Sequence, residues 1–577
     1  MRLLLRPLRY SLLDAHVRFR AGNRFVSSFL MPKRKTEDLD AFSNAQRPSQ
    51  IRKMTTQPAT TTIELDSKET QLKDLLLDTA VFINQTGNLK EPVILRWAGG
   101  WVRDKLLGVK SHDIDTAINV MTGEAFALKI CELCEQPQTI KKHGITDTDI
   151  GNLHKIAKNP DKSKHLETTT IKLFGYDVDF VNLRKETYTE DSRNPQVEFG
   201  TAEEDALRRD ATVNALFYNL NTGKVEDFTT GLTDMQSKLI KTPLEPFQTF
   251  MDDPLRVLRL VRFASRLEFT IDPTAEQVMS DRRVLEALHL KISRERVGIE
   301  VEKMLKGNHP RRSLEYIDSL GLYHAIFTDP TNSKSPSPDI SHWAVVYECL
   351  DYLRKNKTPG SIYDVLVRTD EAAYYAWVLA AVCPWELVIP PPHTGKGKAP
   401  PPFATLAARE GIKATNKLCD LVTTSHNNRD DISSLKLAVL QEAPYINERD
   451  RFGMAIRRWD SRAGHWRLQV LSALLVEAME TFNTASAETG EFTAFLHGWQ
   501  LFLDHLQDLD IMEAPSLKRL IDGTQLAKVL GIKPGKWMAQ ALDVCVAWQL
   551  RHPEATDPAG AIEEVKSRRT ELGIPTN

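Results

Sequence analysis

Residues 96–118 read RWAGGWVRDKLLGVKSHDIDTAI, and the interpretation of the chain turns on this stretch. Asp113 and Asp115 stand one residue apart inside an apolar, strand-like run. Aspartate is a poor strand former, and side chains at i and i+2 share a strand face, where two carboxylates repel unless a cation sits between them. Magnesium, which prefers carboxylate and phosphate oxygen, accounts for the pair. Gly99-Gly100 falls between a strand pattern and a helix pattern, where the backbone can approach a bound group and exposed N–H groups favour an anion. A lone glycine pair is more often only a turn. Here Arg103 and Asp104 follow at once and the aspartates lie one strand away, which describes triphosphate beside divalent metal.

Working outward, IELDSKETQLKDLLLDTAVFINQ has helical periodicity, PVILRWAG reads as a strand, and WVRDKLLG as a helix closed by Gly108. HDIDTAINV is the next strand, followed by a helix from Thr122 to about Cys134. Two further strands, ETTTIKLFG and YDVDFVNLR, turn at Gly175-Tyr176. Asp179 in the second is a candidate third metal carboxylate, and solvent-facing alternation on an edge strand explains it equally well. The expected fold is an α/β head on a mixed sheet. From about residue 245 the pattern is almost entirely helical, interrupted by the Pro-rich loop 389–403.

A chain of 577 residues with 41% apolar and 26% charged residues is expected to be globular and divided into three or four domains, not disordered or fibrous. The longest uncharged apolar run, Ala372 to Trp385, holds 14 residues, contains Pro384 and is too short for a bilayer, so it reads as a buried helix. With a net charge of −2, any nucleic-acid partner must be met by local basic patches. The six cysteines form no disulfide framework and suit a reducing compartment; Cys131-x-x-Cys134 lies in a helical run with no second pair. Residues 1–30 carry six arginines and one acid among Leu, Phe and Ser, the composition of a mitochondrial presequence, and 31–62 form a polar linker. Met31 opens a second possible start, with a basic cluster suited to the nucleus or cytoplasm.

GGWVRD followed by DID resembles the head of class II tRNA nucleotidyltransferases, the CCA-adding enzymes, eukaryotic type, and the similar bacterial poly(A) polymerases. Both belong to the polymerase-beta-type nucleotidyltransferase superfamily. EEDALRRDATVNALFYNL (203–220), EDFTTGLTDMQSKLIKT (226–242), DDPLRVLRLVRFASRLEF (252–269) and ISRERVGIEVEKML (292–305) resemble further blocks of that family in its own order. The resemblance implies a head at 63–244, a neck for nucleotide selection at 245–330, a body at 331–445 and a tRNA-binding tail at 446–577. It implies addition and repair of the 3′-terminal CCA of tRNA from CTP and ATP, with two Mg²⁺ ions held by Asp113 and Asp115 and no obligate protein partner.

Arg208, Arg209, Asp210 and Asn214 would place two cations, an acid and an amide on about one and a half helical turns, suited to triphosphate and ribose; a salt-bridged helix surface is the plain alternative. Asp253 and Arg256 stand at i and i+3, expected on one helix face. An acid accepting from an exocyclic amine and a guanidinium donating to a ring acceptor match C and A and mismatch U and G. The resemblance gives them that role, with Asp252 orienting the arginine, although the family block more often has Glu there. Arg259 and Arg262 continue the face, and Ser293, Arg296 and Glu300 buttress it. In the remainder, ERDRFGMAIRRWDSRAGHWRLQVL (448–471) offers Arg457 and Arg458 for RNA, or a solvated helix face. DGTQLAKVLGIKPGKWM (522–538) resembles a family tail element and offers Lys533 and Lys536, or simple helix–turn–helix packing. The Lys-rich stretch 147–167 is a candidate loop for switching from C to A addition. His112-Asp113 without further spaced histidines is poor evidence for a phosphohydrolase. A poly(A) polymerase and an inactive RNA-binding scaffold are the rival readings; intact Asp113, Asp115 and Asp253 oppose the scaffold.

Overall fold

The computed structural model describes residues 62–87, 89–146, 148–151, 154–156, 168–189, 192–330, 336–390, 400–462, 464–483 and 490–575. The presequence, nearly all of the 31–62 linker, most of the Lys-rich stretch and most of the Pro-rich loop lie outside them. The head is a mixed sheet built from β1 (Leu95–Ala98), β2 (Asp113–Ile118), β3 (His154–Ile156), β4 (Thr168–Leu173), β5 (Tyr176–Asn182), β8 (Leu216–Asn219) and β9 (Lys224–Asp227). Their spatial order is β3-β4-β5-β2-β1-β8-β9, and a hairpin of β6 (Arg184–Thr189) and β7 (Ser192–Phe199) stands apart from it. β1, β2, β4 and β5 match the strands expected from the sequence, whereas β3 falls in the stretch 147–167 expected to be a loop. The β6–β7 hairpin and β8–β9 were not legible in sequence, because their residues alternate poorly and sit beside charged blocks.

Two contrasting faces position the site. One is covered by the helices Ser67–Thr86 and Gly123–Cys134, whose Leu72, Leu76, Phe126 and Ile130 bury Trp97, Ile114, Val178 and Phe180. The other is made largely of small side chains, with Ala98, Ala117, Ala202, Ala206 and Ala215 packed around Leu183 and Phe217. Little side-chain bulk lets the short helix Ala202–Leu207 lie close to the strands, and this second face carries Asp115: Ala98 is its register partner and Ala117 follows two residues on. β2 and β5 are parallel, pairing Asp113 with Asp177 and Asp115 with Asp179.

Beyond residue 245 the structure is helical, as expected. The neck begins with Pro246–Asp252 and Leu255–Leu267 and is tied to the head by a two-residue parallel bridge, Leu239–Ile240 with Thr270–Ile271. One continuous apolar core runs from Ala211 through the helical region to Ala514 and takes in Val546 and Leu550, while other residues between Ile521 and Ile574 form a separate small core. The neck helix Arg294–Leu305 meets the body at close range: a Cβ on Gly298 would lie 2.0 Å from the Ile412 carbonyl oxygen. Beside it the buried Arg294 donates to the carbonyls of Gly411 (2.8 Å) and Ala325 (3.0 Å). No helix of the described residues is long and apolar enough to cross a membrane. Ala372 to Trp385 forms the buried helix Asp370–Val382 and a following 3-10 turn. All six cysteines are free, and burial raises the pKa of Cys131 and of Cys134, the latter to about 11, so neither is a reactive thiolate.

Candidate active site between head and neck

Asp113 and Asp115 are exposed while Ile114 and Thr116 between and beyond them are buried, so the pair faces the cleft together. Protein surrounds most of Asp115 even though an edge stays open to solvent. That loss of water raises its pKa, as do the like charges of Asp179, Asp113 and Asp205; Arg209 opposes them. Asp179 sits in register beside Asp115, half-buried, and accepts a hydrogen bond from Thr170 Oγ1. Among the described residues no group of three or more His, Cys, Asp or Glu is set to hold a metal by itself. Two crowded, cleft-facing carboxylates that still need a positive partner fit a magnesium ion completed by phosphate and water, since magnesium is commonly held by one or two carboxylates plus substrate oxygens.

Gly99 joins this acidic strand to the basic block. It caps the helix Gly100–Leu106 with φ +66°, and a Cβ there would lie 2.8 Å from Arg209 Nη1 and 3.8 Å from Asp115 Oδ2. Only glycine suits both the left-handed backbone and the gap.

Arg208, Arg209, Asp210 and Asn214 do not share a helix, contrary to the spacing argument. The helix Ala202–Leu207 ends just before them, with Arg208 as its C-cap, and Asn214 closes a 3-10 turn. Asp205, which the sequence reading passed over, organises the turn. Only 1% exposed, its Oδ2 accepts from Arg209 Nε (3.1 Å) and Nη2 (2.9 Å), while its Oδ1 accepts from Arg208 Nε (2.9 Å). Burial works against the Asp205 charge, but Arg209 and Arg208 outweigh it and lower the pKa. The i−3 and i−4 spacing to two arginines was the signal available. Glu186 on β6, also unanticipated, accepts from Arg184 Nε (2.7 Å) and Arg208 Nη1 (3.3 Å) and stands 4.0 Å from Arg256. Nothing in sequence announced it, because its partners come from three separate segments.

Several assigned residues prove to be internal struts. Arg103 and Asp104 are 3% and 4% exposed; Arg103 donates to Asp104 (2.7 Å) and to Asn214 Oδ1, so it fixes the helix Gly100–Leu106 to the basic turn and does not present its charge to a triphosphate. Arg259 donates to Asp210, tying neck to head, and Arg262 to Glu300 (2.6 Å) within the neck, so both expected nucleotide contacts are already paired with acids of the chain. The guanidiniums of Arg103, Arg259 and Arg262 all lie within 6 Å of the Phe263 ring.

DDPLR is likewise not one helix. Asp253 is extended (φ −138°, ψ 95°) between the helices Pro246–Asp252 and Leu255–Leu267. A residue preceding proline is disfavoured in the α region, and Pro254 imposes that break. Asp253 Oδ2 accepts from Arg296 Nη2 at 3.2 Å, the expected buttress, and Arg256 Nη2 donates to the Arg208 carbonyl at 2.9 Å. Asp252 accepts from Gln248 Nε2 (2.6 Å). A cleft of 690 Å³ opens between Asp113 and a basic neck wall that includes Arg262, Arg266, Lys303 and Lys306. A neighbouring 1020 Å³ cavity shares Lys306 and Asn308 and extends toward Tyr374 and Lys413 of the body, away from Asp115.

In the far helices, Arg457 Nη1 donates to the carbonyls of Ala514 and Leu517 and Arg467 Nη2 to Met512, so these arginines close the fold. Contrary to the expected RNA contact, the Arg457 guanidinium is committed to carbonyls of its own chain. Arg458 is exposed but paired with Asp431 (2.6 Å), an acid from another helix. Lys533 and Lys536 are exposed on the turn after Gly531, which takes φ +67°.

A family profile described as "Poly A polymerase head domain" matches residues 95–241, and one described as "Probable RNA and SrmB- binding site of polymerase A" matches 268–332. "Nucleotidyltransferase lcsQ" of Purpureocillium lilacinum is 55% identical over 89% of this chain and 93% of its own length. "CCA tRNA nucleotidyltransferase, mitochondrial" of Saccharomyces cerevisiae is 37% identical over 86% of this chain and 92% of its own. Among solved structures, the apo form II of a CCA-adding enzyme overlays with a TM-score of 0.58 at 20% identity, covering 87% of this chain and 96% of that one.

Proposed function

This chain belongs to the CCA tRNA nucleotidyltransferase family, and from that premise we propose that it builds and repairs the 3′-terminal CCA of tRNA from CTP and ATP without a nucleic-acid template. One observation carries the reading: a left-handed glycine brings a paired-aspartate strand and an arginine-rich turn to the two sides of one gap.

Asp113 and Asp115 hold the divalent cations, with Asp179 as a third carboxylate beside them. Bound there, magnesium supplies Lewis acidity toward the attacking hydroxyl and neutralises the leaving pyrophosphate. The chain's own part is positioning. Gly99 and Gly100 let the triphosphate approach the backbone, and Arg208 and Arg209, which keep N–H groups beyond those given to Asp205, take its oxygens. Asp210, the next residue, and Asn214, at the end of the following 3-10 turn, serve the ribose. The 3′-hydroxyl attacks the α-phosphorus in line, forming the new phosphodiester bond as the bond to pyrophosphate breaks. Asp253 accepts from the exocyclic amine of C or A and Arg256 donates to the ring nitrogen; Arg296 keeps the acid in place.

The divisions at 245–330, 331–445 and 446–577 serve as neck, body and tail, the separate core of 521–574 being the outermost piece of the tail. Lys533 and Lys536 there contact the tRNA backbone. The arginine-rich start directs the protein to mitochondria, in keeping with the yeast relative's name, and translation from Met31 supplies the nucleus and cytoplasm. Incubating tRNA lacking its end with CTP alone, ATP alone or both, and sizing the products, tests the function: two additions with CTP and a third only when ATP is present. Long A tracts on arbitrary RNA would reject it in favour of poly(A) polymerase.

A further inference from the structure

Asp115 and Asp113 on β2 and Asp179 on the adjacent β5 concentrate negative charge on one face of the sheet, and Arg209 borders the same gap across Gly99. A free guanidinium in that position would fall onto Asp115 and occupy the place a cation needs. Its ion pair is instead with Asp205, Nη2 to Oδ2 at 2.9 Å, backed by the second bond from Nε. Two further contacts complete the mount: Nη1 donates to the Asn214 carbonyl (2.9 Å), and the guanidinium lies 4.9 Å from the Phe217 ring centre. Asp205 is itself anchored, because its other oxygen is taken by Arg208 and by the Arg184 backbone N–H (3.2 Å).

We propose that Asp205 is a positioning residue that tethers Arg209 away from Asp115, so that the aspartate pair stays open to divalent metal while a cation remains beside it for phosphate. The inference rests on the reading of Asp113 and Asp115 as the metal ligands. Asp205→Asn keeps the shape but removes the charge that competes for Arg209. The guanidinium then turns to Asp115, and the metal must displace it.

Mn²⁺ binding to the full chain, followed by electron paramagnetic resonance of the free ion without nucleotide or RNA, reads this directly. Asp205→Asn is expected to weaken Mn²⁺ about tenfold or more, and adding Arg209→Gln to it should return affinity to within about threefold of the parent. An unchanged Asp205→Asn, or a double variant as weak as the single one, overturns the tether. If Asp205→Asn does not fold, Arg209→Gln alone decides: removing a nearby cation should leave Mn²⁺ affinity equal or higher, and a weaker site overturns the proposal. Asp113→Asn with Asp115→Asn separates the two failures. Mn²⁺ binding that survives that pair refutes the metal assignment itself, whatever Asp205 does.

Discussion

Arg259 on the neck donates its Nε to Asp210 on the head, 49 residues earlier in the chain, and the same guanidinium lies 3.7 Å from Glu300. One arginine thus joins the arginine-rich turn of the head, its own helix Leu255–Leu267 and the neck helix Arg294–Leu305. Neither Asp210 nor Glu300 is left as an uncompensated buried charge.

Burial alone would raise the Asp210 carboxyl, but Arg259, with Arg256, holds it down at about 2 against an ordinary 3.8. A depressed acid contributes stability that is complete above about pH 4 and is lost as the pH falls toward 2. Asp210→Asn is therefore expected to cost about 2 kcal/mol at pH 7. Urea unfolding at a series of pH values checks it: the gap between parent and variant should narrow below pH 4, and a gap independent of pH would refute the ion-pair account.

Asp115 shifts in the opposite direction, so its charge costs folding stability once the pH rises above the ordinary carboxyl value. Asp115→Asn should melt at or above the parent's temperature at pH 7 without metal while losing about 10³-fold or more in nucleotide addition. A variant that is both inactive and less stable would mean that Asp115 is structural.

Arg296 touches Asp253 and belongs to a different helix, so it can be removed without altering Asp253, the residue proposed to read the base. Arg296→Gln should lower discrimination of CTP against UTP by roughly ten- to hundredfold, the value of about 1–3 kcal/mol for a hydrogen bond to a charged group. Single-turnover rates with each nucleotide measure this. Equal loss for both nucleotides would show that Arg296 only supports the fold.

Lys533 and Lys536 are free-standing on an exposed turn, whereas Arg457 is bonded to carbonyls of its own chain. Substituting both lysines with alanine should reduce the slope of log affinity for tRNA against log salt by about two, and Arg457→Ala should lower the melting temperature with the slope unchanged. The reverse pattern would restore Arg457 as the phosphate contact.

The strand carrying Asp113 and Asp115, the glycine turn, the α/β head and the helical remainder could all be read from the sequence, because period-two and period-3.6 patterns and a positive-φ glycine are local properties. Asp113 and Asp115 share a face for the same reason, since i and i+2 on a strand admit no other arrangement, while the helices covering the opposite face decided that theirs stays open. Which charges remain available was decided only in three dimensions. Arg103, Arg259, Arg262 and Arg457 looked like nucleotide or RNA contacts on spacing, yet their partners Asn214, Asp210, Glu300 and Ala514 come from distant segments. An ion pair forms where burial and approach distance make it favourable, and neither quantity exists until the chain has folded. Asp205 and Glu186 entered the site by the same route, and the break at Asp253 came from Pro254 acting on its neighbour's backbone, where a face argument had assumed an unbroken helix.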